Sequence, residues 1–197
     1  MHIHPRGAHG RESLSAIDAS IPAVRRACPG TLIGVSTGAW IENDDAGTRR
    51  AIAAWTALPD YASVNLSEPD APAVMQSLHD RGVGIEAGLG AIADAERFVA
   101  LAGHTRVFRI LIEIGEQDFA EAQRIAGAIA AVLARANLQR PILRHGFDAT
   151  VWPFVTLARQ RRWTRVGLED GKSLPDGTVA EKHATLVAAA VAIIRAR

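Results

Sequence analysis

The feature that most constrains this chain is a repeat of unequal parts: a short β-rich run, a polar corner, then an amphipathic stretch, recurring from the first residues to the last. The expected strands are 31–36, 61–66, 83–87, 106–114, 142–144 and 164–168, and His2-Ile3-His4 before Pro5-Arg6 reads as the end of one more. Between them lie expected helices over 14–27, 46–58, 71–80, 92–101, 119–136, 151–161 and 179–196. In the fifth of these, Phe119, Ala122, Ile125, Ile129, Val132 and Ala136 recur at three- and four-residue steps, which lines one helical face with apolar groups that need a sheet to cover them. Asp70 before Ala71-Pro72 and Asp118 before Phe119 are positioned to cap helix starts, and Pro29-Gly30, Gly82 and Gly103 to stop helices. Strands that alternate this strictly with helices must run parallel, joined by helical crossovers, so the class is α/β.

Closed barrel or open sheet is decided by where polar residues fall. An open sheet concentrates its site at one switch point, whereas a barrel collects groups from the C-terminal ends of many strands. Here nearly every strand ends in a reactive or hydrogen-bonding group: His2 and His4, Ser36 and Thr37, Asn65 and Ser67, Glu86, Glu113, His145, and Glu169-Asp170. The expected fold is therefore a TIM (β/α)8 barrel, in a single domain over 1–197. A closed barrel of this kind needs more than about 200 residues, so 197 residues with seven strands are expected to lack one βα unit at the N-terminus.

Composition excludes several function classes. Lys and Arg number 22 against 21 Asp and Glu, which gives no electrostatic footprint for nucleic acid or an anionic membrane. No apolar run approaches the roughly 20 residues that span a bilayer. The start, MHIHPRGAHGRES, has no hydrophobic signal core, and the lone Cys28 allows no intramolecular disulfide. A cytoplasmic protein with a small-molecule ligand or a protein partner is the expectation.

His2-x-His4 places two imidazoles on one face of a strand, where both can reach one ion; a pair of solvated histidines near a chain start is the competing reading. Glu169-Asp170 is either a strand-end pair, one carboxylate for a metal and one as a base, or a solvated turn. With His2 and His4, Glu169 would complete a two-His, one-carboxylate zinc set with an open position. Ser36 and Thr37 before Gly38 can anchor a carboxylate or simply form a turn, and Asn65 and Ser67 read the same way. Glu86 and Glu113 sit in runs that should be buried, so each needs a cation or a donor, or a place at the barrel mouth. His145 is a proton shuttle or a polar cap. His9, His79, His104 and His183, and the run Arg159, Arg161 and Arg162, read as solvated. Trp40, Trp55, Trp152 and Trp163 read as packing residues, with Trp40 also able to wall a pocket.

HIHPR with GRES shortly after, then VSTG, SVN, GIEAGL and RVGLED, in that order, resemble the beta-keto acid cleavage enzymes, the family that includes 3-keto-5-aminohexanoate cleavage enzyme. The likeness covers essentially the whole chain, and TGAWIE with SVNLSEP looks most like the shorter members. RVGLED paired with an upstream HxH is its specific part. It implies a TIM barrel, a divalent zinc, and a retro-Claisen-like exchange in which a beta-keto acid and acetyl-CoA become acetoacetate and a new acyl-CoA. It further implies that His2, His4 and Glu169 bind zinc and that Asp170 is the general base. By the same resemblance Arg165 and Ser36 are expected to help hold the keto acid, Asn65 or Ser67 to supply another substrate-side polar group, and Glu86 to match the family's glutamate near the base. Thr37, Glu113 and His145 complete the candidate substrate contacts.

Members of that family carry a strand and helix before the HxH strand, so the first βα unit and most of the second strand are expected to be missing, along with a substrate-side glutamate. Gly7 stands where relatives commonly have an aspartate. An incomplete barrel exposes strand edges and core, which leads to the expectation of a truncated gene model, a degraded copy or a compensating homo-oligomer, dimer or tetramer. Two other readings stand beside the acyl-transfer one: a zinc hydrolase acting on an ester or lactone, and a catalytically inactive barrel that survives as an assembly partner.

Overall fold

The computed structural model describes residues 1–161, 166–168 and 171–196. Its strands are β1 (His2–Ile3), β2 (Gly34–Ser36), β3 (Tyr61–Asn65), β4 (Gly84–Leu89), β5 (Arg109–Ile114) and β6 (Ile142–Gly146). Its helices are α1 (Ile17–Ala27), α2 (Asp45–Ala54), α3 (Ala71–Asp80), α4 (Ile92–Ala100), α5 (Phe119–Arg135), α6 (Val151–Gln160) and α7 (His183–Arg195). The alternation expected from sequence is present, and the protein is α/β. Contacts gather in two compact units, one of residues 1–88 with 100–109 and one of residues 89–99 with 110–197.

In the first unit β1, β2, β3 and β4 pair in parallel, in chain order. The register aligns His2, Gly34, Tyr61 and Gly84 across the four strands, and Ser36, Ser63 and Glu86 two residues on. Side chains alternate across a strand, so these two rows share a face. The intervening rows, Val35, Ala62 and Ile85, then Val64 and Ala87, form buried apolar core. Two carboxylates tie the helical layer down: Asp18 on α1 accepts from the Thr56 and Ala57 amides at 2.8 and 2.9 Å, and Asp60 accepts from the Ile33 amide at 2.7 Å. The buried Trp55 indole donates to the Leu14 carbonyl at 3.0 Å, so this tryptophan does pack.

In the second unit β5 and β6 pair in parallel from Ile110 opposite Ile142 to Ile114 opposite Gly146, and Val166 forms a parallel bridge to Arg144. Of the seventh strand expected over 164–168, Gly167 and Leu168 are not in a strand, and 164–165 lie outside the described residues. On α5, Ala122, Ile129 and Val132 are buried as the periodicity requires, joined by Ala126 and Leu133; Ala136 falls just past the helix and is exposed. α7 buries Leu186 and Ala190 while Val187, Val191 and Ile194 stay in part exposed.

Several boundaries are corrected. The strand expected over 31–36 begins at Gly34, because Thr31 and Leu32 are exposed approach chain. That expected over 106–114 begins at Arg109, since His104–Arg106 form a 3-10 turn opened by Gly103 at φ +85°. The helix expected over 14–27 is a 3-10 turn, Leu14–Ala16, running into α1, and the one expected over 179–196 starts only at His183. Asp118 caps α5, accepting from the Glu121 amide at 2.8 Å, but Asp70 does not cap α3. Its carboxylate is taken by Arg49 instead, and its own backbone sits near φ −85°, ψ 2°, outside the extended conformation a capping residue needs. Gly30, Gly82 and Gly103 all adopt positive φ, as their role as stops requires.

Candidate active site

The polar face of the first unit is built by register. Gly34 is needed there: a Cβ on it would lie 2.0 Å from the Tyr61 ring, which crosses the strand at that point. Beside that ring stands His2, with centroids 6.3 Å apart, and beyond it His4, whose ring lies 5.1 Å from that of His2 and is tilted by 58°. Both histidines are half-buried.

Each imidazole faces a carboxylate. His2 Nδ1 is 3.9 Å from Glu86 Oε1, and His4 Nδ1 is 3.3 Å from Glu12 Oε1. Glu86 is 1% exposed in the middle of β4, where an unpaired charge would be costly, and the cation that its burial demands is Arg109 at the start of β5, which donates through Nε. That guanidinium lies 4.5 Å above the Tyr61 ring, and Tyr61 stacks on Phe108 at 5.4 Å. Burial disfavours the Arg109 cation, but the hydrogen bond and charge of Glu86 outweigh it and hold the guanidinium pKa above its ordinary value. Glu12 is held from the other side by Trp40, whose indole donates to Oε2 at 3.2 Å, and by Arg6 at 3.7 Å. Trp40 is 52% exposed, its ring lying over Gly38.

The hydroxyls at the end of β2 are engaged locally. Thr37 donates to the Ser63 carbonyl at 2.7 Å, and Ser36 Oγ accepts from the Gly38 amide at 3.3 Å; both residues are buried. Asn65 donates to Glu68 at 3.2 Å, the same carboxylate oxygen that takes the Ala39 amide at 3.0 Å, while Ser67 is exposed.

In the second unit Glu113 and His145 come together on adjacent strands, opposite each other in register, with Nε2 4.0 Å from the carboxylate. His145 is fully buried, edge-on to Phe147 at 5.2 Å, and Gly167 lies so close that a Cβ there would be 2.8 Å from the imidazole. Next to it Arg144 is half-buried, and burial lowers its pKa. Arg165, Glu169 and Asp170 lie outside the described residues.

No protein-family model matches the chain, and no curated protein matches it.

Zinc takes imidazole nitrogen and carboxylate oxygen. The described residues offer the imidazole half, two rings side by side at 5.1 Å with carboxylates at their backs, and in that respect they fit. Among the described residues no group of three His, Cys, Asp or Glu side chains gathers to hold a metal, and the third expected ligand, Glu169, is not one of them.

Glu12 and Arg109 were not singled out from sequence. Glu12 is the acid of GRES, but the turn that brings it back to His4, with the Ser13 amide on the Pro5 carbonyl at 2.9 Å, has no sequence signature. For Glu86 the need for a cation was legible; that Arg109, 23 residues away, supplies it was not.

Proposed function

We propose that this chain is a zinc-dependent enzyme that joins the acetyl group of acetyl-CoA to the carboxymethyl part of a short beta-keto acid, releasing acetoacetate, while the remaining acyl group leaves on coenzyme A. The observation that carries this reading is the pairing of His2 and His4 above the buried Glu86–Arg109 ion pair, because two imidazoles next to a fixed carboxylate form the start of a site for a divalent ion and a substrate. The resemblance of HIHPR, VSTG, SVN, GIEAGL and RVGLED to the beta-keto acid cleavage enzymes supplies the reaction.

Zinc held by His2, His4 and Glu169 would stabilise negative charge developing on the keto oxygen. Asp170 moves the proton that the carbon–carbon exchange requires, and Arg165 pairs with the substrate carboxylate, aided by Ser36. Glu86, fixed by Arg109 beside His2, is proposed to shape the electrostatic environment in which the base works. Glu12 orients His4. Asn65 or Ser67, with Thr37, Glu113 and His145, are proposed as substrate-side groups.

The test is an assay of the intact protein with a short beta-keto acid, with and without acetyl-CoA. Acetoacetate and acyl-CoA should form only when both substrates are present, and Asp170→Asn should keep the metal and lose turnover. Consumption of substrate that needs no acetyl-CoA would replace this reading with hydrolysis.

A further inference from the structure

We propose a second small-molecule site in the first unit, across β4 from the polar face, that takes a short-chain carboxylate anion. Ile85 and Glu86 are neighbours on β4 and point to opposite sides. Glu86 serves the histidine face, while Ile85 forms part of the wall of a cavity of about 260 Å³ between α3 and the turn that precedes β5. Pro72, Met75 and Leu101 supply further apolar wall. The cavity suits an unbranched tail of roughly four to six carbons, being smaller than the usual range for a drug-sized ligand.

Two polar groups converge on this cavity. Arg106 and His79 both line it, and Arg106 Nη1 lies 2.7 Å from His79 Nε2. A guanidinium has only donors, so in this contact the imidazole nitrogen is the acceptor. Arg106 spends one donor on this imidazole, and among the described residues no carboxylate pairs with it. Its position is set by the backbone: the 3-10 turn after Gly103, at φ +85°, folds the side chain back so that its Nε and Nη2 come within 3.1 Å of where a Cβ on Gly103 would stand. An uncompensated guanidinium at an apolar cavity is complementary to a carboxylate head on an apolar tail, because the fork geometry binds both carboxylate oxygens and the walls cover the chain. His79, on α3, is exposed, in keeping with the solvated position expected from sequence, and stands at the rim of this cavity.

The site stands independently of the zinc reading. Its test is titration of the intact protein with hexanoate, followed by calorimetry and by the NMR signals of Ile85 and His79, with acetate and hexan-1-ol as comparison ligands. Hexanoate should bind saturably and move both signals, acetate and hexan-1-ol should each bind at least about tenfold more weakly, and Arg106→Ala, an exposed position, should weaken hexanoate at least about tenfold. His79→Ala should weaken it as well. Unsaturable hexanoate, equal affinity for acetate, or an unchanged affinity in Arg106→Ala would overturn the proposal.

Discussion

Arg109 donates its Nε proton into the carboxylate of Glu86, and this pair, formed 23 residues apart in sequence, is the polar centre of the first unit. Glu86 is 1% exposed and Arg109 is half-buried, its guanidinium 4.5 Å from the Tyr61 ring centre and 5.6 Å from that of Phe108. Breaking such a pair from one side strands the other charge.

Arg109→Leu is therefore expected to destabilise the protein by about 3–5 kcal/mol, since it leaves a buried carboxylate uncompensated. Adding Glu86→Leu should restore a large part of that loss. Urea denaturation of the two single variants and the double variant measures the coupling, and purely additive losses would show that the ion pair is not a unit.

Asp60 gives a pH signature. Burial pushes its pKa up, but the Ile33 amide and the Arg25 guanidinium outweigh that and hold it below the ordinary aspartate value of 3.8. A carboxyl depressed in the folded state adds stability that is fully present above its unfolded pKa and is lost as pH falls through the folded one. Asp60→Asn should then be less stable than the parent at neutral pH, with the difference shrinking below about pH 4. Thermal unfolding at pH 7 and pH 3 checks the sign.

Glu12 lies 3.3 Å behind His4 and is itself held by Trp40. If His4 is a zinc ligand, Glu12→Gln should weaken metal affinity by roughly 10–100-fold while the fold survives. Competition with a chromophoric chelator reads this directly, and an unchanged affinity would remove Glu12 from the site.

The architecture was legible because periodicity is a local property. The switch between β-rich runs and amphipathic runs located every described strand and α-helix, and α5 buries Ala122, Ile129 and Val132 of the face its spacing pointed to. The boundaries that moved did so where local chemistry overrode pattern, as at Gly103 and at Asp70, whose carboxylate went to Arg49 and not to the helix start. The site was legible only in outline. His2 and His4 share a face because strand side chains alternate, and the sequence shows that. The partners of those histidines, Glu12 and Glu86, and the partner of Glu86, come from turns and crossovers whose geometry no short motif encodes.

Everything proposed for catalysis rests on a metal held by His2, His4 and Glu169, so the most direct measurement is the zinc content of the purified chain beside that of His4→Ala and Glu169→Ala. The account predicts about one zinc per chain, lost in both variants while each remains folded by circular dichroism. Zinc retained undiminished in both variants, or a parent chain that binds none when zinc is supplied, would contradict it.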